Sequence, residues 1–164
     1  MTMKKIILIS YSFFLAILFA CSSGTTEDKA SENKVQKIIN LKDIAGKQLS
    51  DVEKVLGTAE KTEKAQPSGT PCKQTPCDKM FFQNGKFEVL FINKVADWIT
   101  INNTSQNELN ENVIELLGLT KKSPTFKNIS NVIRWENIEG IKEISFFNNG
   151  SNKVDYIYIK VHIL

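Results

Sequence analysis

The chain has 164 residues, with 21 basic and 18 acidic side chains and a formal net charge of +3 at pH 7. Nucleic-acid binding needs a clustered basic surface, whereas these lysines are interleaved with Asp, Glu and Asn, and Arg134 is the single arginine. Nucleic acid is therefore excluded as an expected partner, and the length suits one ordinary domain or two very small ones.

The N-terminus has the pattern of a bacterial export signal. Two lysines precede an apolar run from Ile6 to Phe19, which is about 14 residues long and short for a membrane span. The small residue Ala20 follows. The pattern predicts a signal peptide over residues 1–20, and the alternative is a single N-terminal anchor helix.

Cys21, directly after Ala20, resembles the lipobox cysteine of bacterial lipoproteins, which is acylated and becomes the first residue of the mature chain. This resemblance implies lipidation of Cys21, as in palmitate-carrying lipoproteins, and attachment to a membrane through that lipid. Residues 21–37 contain almost no apolar side chains that could be buried, and this composition predicts a flexible tether. The expected location is the bacterial cell envelope, at the outer membrane and facing the periplasm.

Cys72 and Cys77 are close in sequence and, after export, lie in an oxidising compartment. These two facts favour a structural disulfide. A zinc site is the first alternative, but with Cys21 assigned to lipid the lone His162 is the only other histidine or cysteine that could bind the metal. A redox centre is the second alternative, but the spacing of the two cysteines is not that of a Cys-x-x-Cys motif. We expect no metal and no cofactor.

The segment Gly46–Gly57 predicts a short amphipathic helix that ends at Gly57 in the left-handed conformation. Ser50 and Glu53 have the spacing of a capping box. Three apolar residues are expected on its buried face: Val52, Val55 and Leu56.

A long loop is predicted from Thr58 to Asp78, because Lys, Thr, Pro and Gly predominate there. Three strands follow the loop, separated by the turn signals Asn84-Gly85 and Asn93-Lys94. The predicted strands are Met80–Gln83, Lys86–Ile92 and Val95–Ile101.

The second half repeats this order. A helix is predicted over Glu108–Leu117 and a loop over Lys121–Ser130, followed by strands at Val132–Glu136, Ile141–Phe147 and Val154–Ile163. The pattern predicts a two-layer α+β fold, with a first repeat over residues 38–103 and a second over 104–164. Each repeat is expected to hold one helix and a three-stranded antiparallel sheet.

The motif Gly46-x-x-Leu-Ser-x-Val-x-x-Val-Leu-Gly57, together with the lipoprotein signal, resembles the SmpA/OmlA (BamE-like) family of small outer-membrane lipoproteins. It also resembles the related tandem fold of the β-lactamase inhibitory proteins. The first resemblance implies a partner in outer-membrane assembly. The second implies recognition of an enzyme through a concave sheet.

Strand alternation separates two faces of the predicted sheet. One face is wholly apolar and is expected beneath the helices: Phe87, Val89, Phe91, Ile99, Ile101, Ile144, Phe146, Ile157 and Ile159. The other face mixes aromatic, aliphatic and polar groups and provides the candidate partner-binding residues: Glu88, Leu90, Trp98, Thr100, Phe147, Tyr156 and Tyr158. Large rigid side chains with polar groups suit protein recognition. The alternative is that these aromatics only stabilise cross-strand pairs or are covered by loops.

Motifs for catalysis are absent from the sequence, and Asp97 and Asp155 beside predicted turns fit local hydrogen bonding better than a catalytic pair. The expected function is a non-catalytic, lipid-anchored protein-binding or scaffold module. The alternative is an inhibitor or immunity lipoprotein that blocks an enzyme through the sheet face and the loop of Cys72 and Cys77. The oligomeric state is left open.

Overall fold

Antiparallel strands dominate the computed structural model, which describes residues 36–64, 72 and 77–162. The strands are β1 (Lys61–Lys64), β2 (Cys77–Phe82), β3 (Phe87–Ile92), β4 (Val95–Ile101), β5 (Phe126–Asn128), β6 (Val132–Ile138), β7 (Ile141–Asn148) and β8 (Val154–Lys160). All eight belong to one sheet, in the order β1-β2-β3-β4-β8-β7-β6-β5. The described residues belong to one compact unit, which spans Lys34–Leu164.

The predicted tandem repeat of a helix and a three-stranded sheet is wrong. Each half of the described chain contributes four strands and only short helical segments, not one helix and three strands. The pairing of β4 with β8 joins all eight strands into one sheet, a point that the sequence left open. Both predicted loops also contain an edge strand, β1 and β5. Neither strand has a buried residue, so no apolar alternation marks it in the sequence.

The first predicted helix forms as α1 (Leu49–Leu56), but its predicted details are partly wrong. The N-cap is Gln48, which makes no side-chain cap bond, and Ser50 lies inside the helix. Glu53 accepts a hydrogen bond from the Ala59 N–H at 3.3 Å instead of completing a capping box. Val55 is 41% exposed, so the buried face of α1 is carried by other residues: Val52 and Leu56.

The second predicted helix is a 3-10 helix over Glu111–Leu117. The Asn110 side chain accepts the N–H of Asn112, and Gly118 ends the segment in the left-handed conformation with φ 70°. A second, shorter 3-10 helix spans Leu41–Asp43. The helical layer is therefore much thinner than predicted, and the sheet supplies most of the regular structure.

The predicted hairpin turn at Asn93-Lys94 is confirmed, since both residues have positive φ, 51° and 66°. This geometry suits a tight two-residue connection between antiparallel strands. The turn at Asn84-Gly85 is wider than predicted. It starts at Gln83, whose φ is 53° and whose carbonyl accepts the Lys86 N–H at 3.1 Å.

The core lies between the inner face of the sheet and the helical segments. All nine residues predicted for that face are buried, which confirms the predicted alternation. The helical segments and the turns beside them cover this face with buried side chains that include Leu41, Ile44, Val52, Leu56, Val113, Ile114, Leu116 and Leu117. Their burial supplies the main driving force for folding of this domain.

The signal peptide (1–20), Cys21 and residues 21–35 of the predicted tether lie outside the described residues. Gln36 and Lys37 are exposed. The Ile38 N–H donates to the Leu116 carbonyl at 2.8 Å, so the first described contact with the 3-10 helix is made there. Across the part of the chain that the structure describes, no helix has the length and apolar character needed to cross a bilayer.

Candidate functional site: the outer face of the sheet

The seven candidate binding residues all lie on one face of the sheet, which we call the outer face because the helical segments pack on the other. They come from β3, β4, β7 and β8, which are neighbours in the sheet. Leu90 pairs with Trp98, Glu88 pairs with Thr100, and Thr100 pairs with Tyr158. All seven side chains are half-buried. Residues distant in sequence therefore form one connected surface.

Strand register arranges the outer face in rows. One row crosses all eight strands, from β1 to β5, and passes through Lys61, Phe81, Glu88, Thr100, Tyr158, Ser145, Arg134 and Phe126. The row beside it holds Glu63, Lys79, Leu90, Trp98, Lys160, Glu143 and Glu136. Both rows contain basic, acidic and aromatic groups.

The aromatic residues of the outer face form two pairs. Trp98 and Tyr158 meet edge to face, with ring centroids 5.6 Å apart and an interplanar angle of 85°. Phe147 and Tyr156 are stacked, at 4.5 Å and 14°. Lys160 Nζ lies 5.5 Å from the Trp98 ring centroid and 5.6 Å from that of Tyr158. Such contacts hold the rings in fixed orientations.

Several charged groups on the outer face pair with one another. Glu143 faces Lys160 Nζ at 3.3 Å and Arg134 Nε at 3.6 Å, and it accepts the Ser145 hydroxyl at 3.2 Å. Glu88 pairs with Lys79 and accepts the Asn102 side-chain amide at 2.9 Å. The outer face is thus electrostatically balanced around its aromatic rings.

Burial of the phenol raises the pKa of Tyr158, and the negative charge of Glu143 and the neighbouring Tyr156 raise it further. Each of these causes disfavours the phenolate. Tyr158 therefore offers a neutral hydroxyl on the outer face under physiological conditions.

The predicted disulfide is confirmed: Cys72 and Cys77 are bonded, with their Cα atoms 5.7 Å apart. Both cysteines are buried, and they cluster with Ile92 against Leu90 and Trp98. The disulfide therefore covers the β2–β4 corner of the outer face. The rest of the segment that leads to it, residues 65–71 and 73–76, lies outside the described residues.

Asp97 and Asp155 are not brought together. Asp97 lies near the start of the β4–β8 pairing, where its carbonyl accepts the Val161 N–H. Its buried carboxylate accepts the backbone N–H of His162 at 2.8 Å and lies 3.1 Å from the Nδ1 of that ring. Asp155 is exposed at the other end of the pairing, where Thr104 donates to its carbonyl. Within residues 36–64, 72 and 77–162, no group of three potential metal ligands occurs.

One part of this surface is not predicted by the sequence patterns. Phe126 and Ile129 are 50% and 40% exposed, and both lie in a segment that was predicted to be a loop. Phe126 pairs with Arg134 and so lies at the end of the long row of the outer face. One sequence feature could have indicated an unusual surface here: no acidic residue occurs from Leu116 to Trp135.

Comparison with known proteins gives no match to a family model, to a curated protein or to a solved structure. The resemblance to BamE-like lipoproteins and to the β-lactamase inhibitory proteins therefore stays a prediction. Function is therefore inferred from the residues of the outer face.

Proposed function

We propose that this protein is a lipid-anchored envelope protein whose domain binds a partner protein through the outer face and performs no chemistry. Cys21 is the proposed lipid attachment site, and residues 22–37 are the proposed tether between the membrane and the domain. The envelope location at the outer membrane is part of the same proposal.

The observation that carries the proposal is the convergence of the seven candidate residues on one face. Trp98, Tyr158, Tyr156 and Phe147 supply large rigid contact area, and their ring contacts reduce the entropy lost on binding. Protein interfaces are enriched in aromatic residues and arginine. Arg134 and Lys160 flank these rings, so the composition of the outer face fits a protein partner.

The test is in-cell crosslinking of the full chain, followed by affinity capture and mass spectrometry. The variant carries Trp98→Ala and Tyr156→Ala together. The matched control is Val55→Ala, which shortens an exposed apolar side chain on α1, on the other side of the sheet. We expect one stoichiometric partner to be lost with the double variant and retained with the control, at unchanged expression.

Identical capture by the wild type and the double variant would contradict the proposal, because the aromatic rings would then serve packing alone. Cys21→Ser tests the anchor separately. We expect it to release the protein from the membrane fraction, and retention there would contradict lipid anchoring.

A second candidate function is favoured by the position of the disulfide. Cys72 and Cys77 pack with Ile92 against Leu90 and Trp98, so an inhibitor that blocks an enzyme would use this disulfide corner together with the sheet face. The identity of the captured partner separates the two functions. A single enzyme would favour the inhibitor, and assembly components of the outer membrane would favour the scaffold.

A further inference from the structure

Residues 120–129, which we call the β5 flank, form one terminal edge of the sheet. The Thr120 N–H donates to Glu139 at 2.8 Å, and Trp135 Nε1 donates to the Lys122 carbonyl at 2.7 Å. The Thr125 N–H donates to the Arg134 carbonyl at 2.9 Å. The flank therefore runs along β6, and in the described part of the chain no strand pairs with β5 on its other side.

Exposed apolar side chains are concentrated on the β5 flank. In the part of the chain that the structure describes, the exposed large hydrophobic residues are Val55, Phe126 and Ile129. Two of these three belong to the flank. Because Phe126 shares a face with Arg134, a strand added beside β5 would extend the outer face and its rows.

Uncompensated positive charge also distinguishes the flank. Lys127 Nζ contacts Glu111 at 2.6 Å, whereas Lys121 and Lys122 make no ion pair within the described residues. Of the acids near the flank, Glu111 pairs with Lys127 and Glu139 pairs with Lys42, so neither forms an ion pair with Lys121 or Lys122. A ligand that lies along this flank meets a basic surface.

The opposite edge of the sheet has the reverse character. On β1, Lys61 pairs with Glu63 at 2.5 Å, and Lys64 pairs with Asp78 of β2 at 2.6 Å. Charged side chains, lysine above all, are a common protection of an edge strand against further pairing, and three of the four β1 residues are charged. The two edges therefore differ: β1 is protected, and the β5 flank is apolar and basic.

We propose that the β5 flank binds an extended acidic segment of a partner protein, which pairs with β5 as a ninth strand of the sheet. This inference rests on the proposed function, that the domain binds a partner protein. Main-chain hydrogen bonds to the free edge supply affinity, and alternate side chains supply specificity. Acidic side chains of the segment contact Lys121 and Lys122, and its apolar side chains contact Phe126 and Ile129.

Charge favours an acidic segment over two other occupants of the flank, a second copy of this chain and an anionic membrane. Antiparallel pairing of β5 with a second copy would bring two basic edges together, and like charges across strands destabilise pairing. An anionic membrane would satisfy the lysines, but it would leave the edge N–H and C=O groups without strand partners. Both alternatives are outcomes of the experiment below.

The experiment selects peptides of about twelve random residues, displayed on phage, against the full chain. The test variant carries Lys121→Glu and Lys122→Glu, and the matched control carries Lys94→Glu and Lys153→Glu, two exposed lysines outside any ion pair of the described residues. We expect enriched peptides to alternate acidic and apolar residues. Their affinity should fall about tenfold or more in the test variant and stay unchanged in the control.

Backbone pairing is read by hydrogen exchange, in which the amides of Phe126–Asn128 should gain protection when a selected peptide is bound. Enrichment without acidic residues, no enrichment, or equal affinity for the test variant would overturn the proposal. A dimer that forms through the β5 flank in sedimentation experiments would also overturn it. Binding of phosphatidylglycerol vesicles through the flank, in place of peptide, would do the same.

The aromatic double variant separates this inference from the proposed function. If Trp98→Ala with Tyr156→Ala abolishes partner capture while the lysine variant does not, the edge inference fails and the proposed function stands. If neither variant changes capture, the proposed function fails as well.

Discussion

Each face of the sheet carries one of the two tryptophans of the chain, and their surroundings differ. Trp135 on the inner face is 1% exposed, packs edge to face on Phe146 at 5.6 Å and donates its indole N–H to Lys122. Trp98 on the outer face is half-buried, beside Tyr158 and beneath Lys160. The same side chain thus stabilises the core at one site and remains partly accessible to a partner at the other.

This difference shows how one sheet can separate stability from recognition. Period-two alternation sends neighbouring residues to opposite faces, so a change on one face leaves the other largely intact. The outer face is itself divided, because the disulfide covers its β2–β4 corner, whereas Phe126 and Ile129 leave apolar groups exposed at the β5 end. The predictions below test these distinctions, from the largest expected effect to the smallest.

Trp135→Ala should give the largest loss of stability, about 3–5 kcal/mol, because it leaves a cavity in the core. Trp135→Phe should cost less, since a ring still fills the site and the lost contact is the hydrogen bond to Lys122. Chemical denaturation measures both variants. A loss below about 1 kcal/mol for Trp135→Ala would show that the inner face does not carry stability.

Cys72→Ser with Cys77→Ser should cost about 2 kcal/mol, because the bond closes a short loop with a sequence separation of 5. The loss should be local to the covered corner of the outer face. A red shift of Trp98 fluorescence should therefore accompany it. Reduction of the wild-type protein is the matched control, and it should reproduce both effects without any substitution.

Trp98→Ala should cost about 1–2 kcal/mol, because it removes a half-buried ring and its edge-to-face contact with Tyr158. The domain should stay folded by circular dichroism while partner capture falls. If its cost instead equals that of Trp135→Ala, Trp98 belongs to the core and the contrast between the two faces is lost.

Tyr158 should make stability depend on alkaline pH. Its pKa is raised in the folded state, whereas the unfolded chain ionises near the ordinary value of 10.0. The stabilising contribution is therefore fully present below about pH 10 and is lost as the pH rises above it, by at most about 1 kcal/mol at pH 11.

Tyr158→Phe should remove that pH dependence, as measured by denaturation at several pH values. In the native state near pH 11, the wild type and the variant should show the same tyrosinate absorbance. A larger signal from the wild type would mean that Tyr158 ionises in the folded protein and that its pKa is not raised.

Much of the inner face could be predicted from sequence because its signal is local and repeated. The predicted bounds of β4, Val95–Ile101, agree with the structure, and the turn at Asn93-Lys94 forms with positive φ at both residues. Apolar alternation placed Ile99 and Ile157 in the core correctly. These features depend on side-chain period and turn chemistry, which neighbouring residues encode.

The edge strands could not be predicted in the same way. The residues of β1, Lys-Thr-Glu-Lys, bury nothing fully, and β5 is exposed throughout. Both strands form because a neighbouring strand offers free hydrogen-bonding groups, which is a property of the assembled sheet. For the same reason, Phe126 and Ile129 were not recognised as part of a surface.

Sequence by itself determined the strand alternation, the disulfide partners and the membership of the candidate face, since each depends on residue type and short spacing. Tertiary structure decided that β4 and β8 pair, that the eight described strands form one sheet, and that β5 is a terminal strand of that sheet. Those outcomes depend on contacts between residues far apart in the chain. Their free energy comes from shared burial of both halves, which no local pattern encodes.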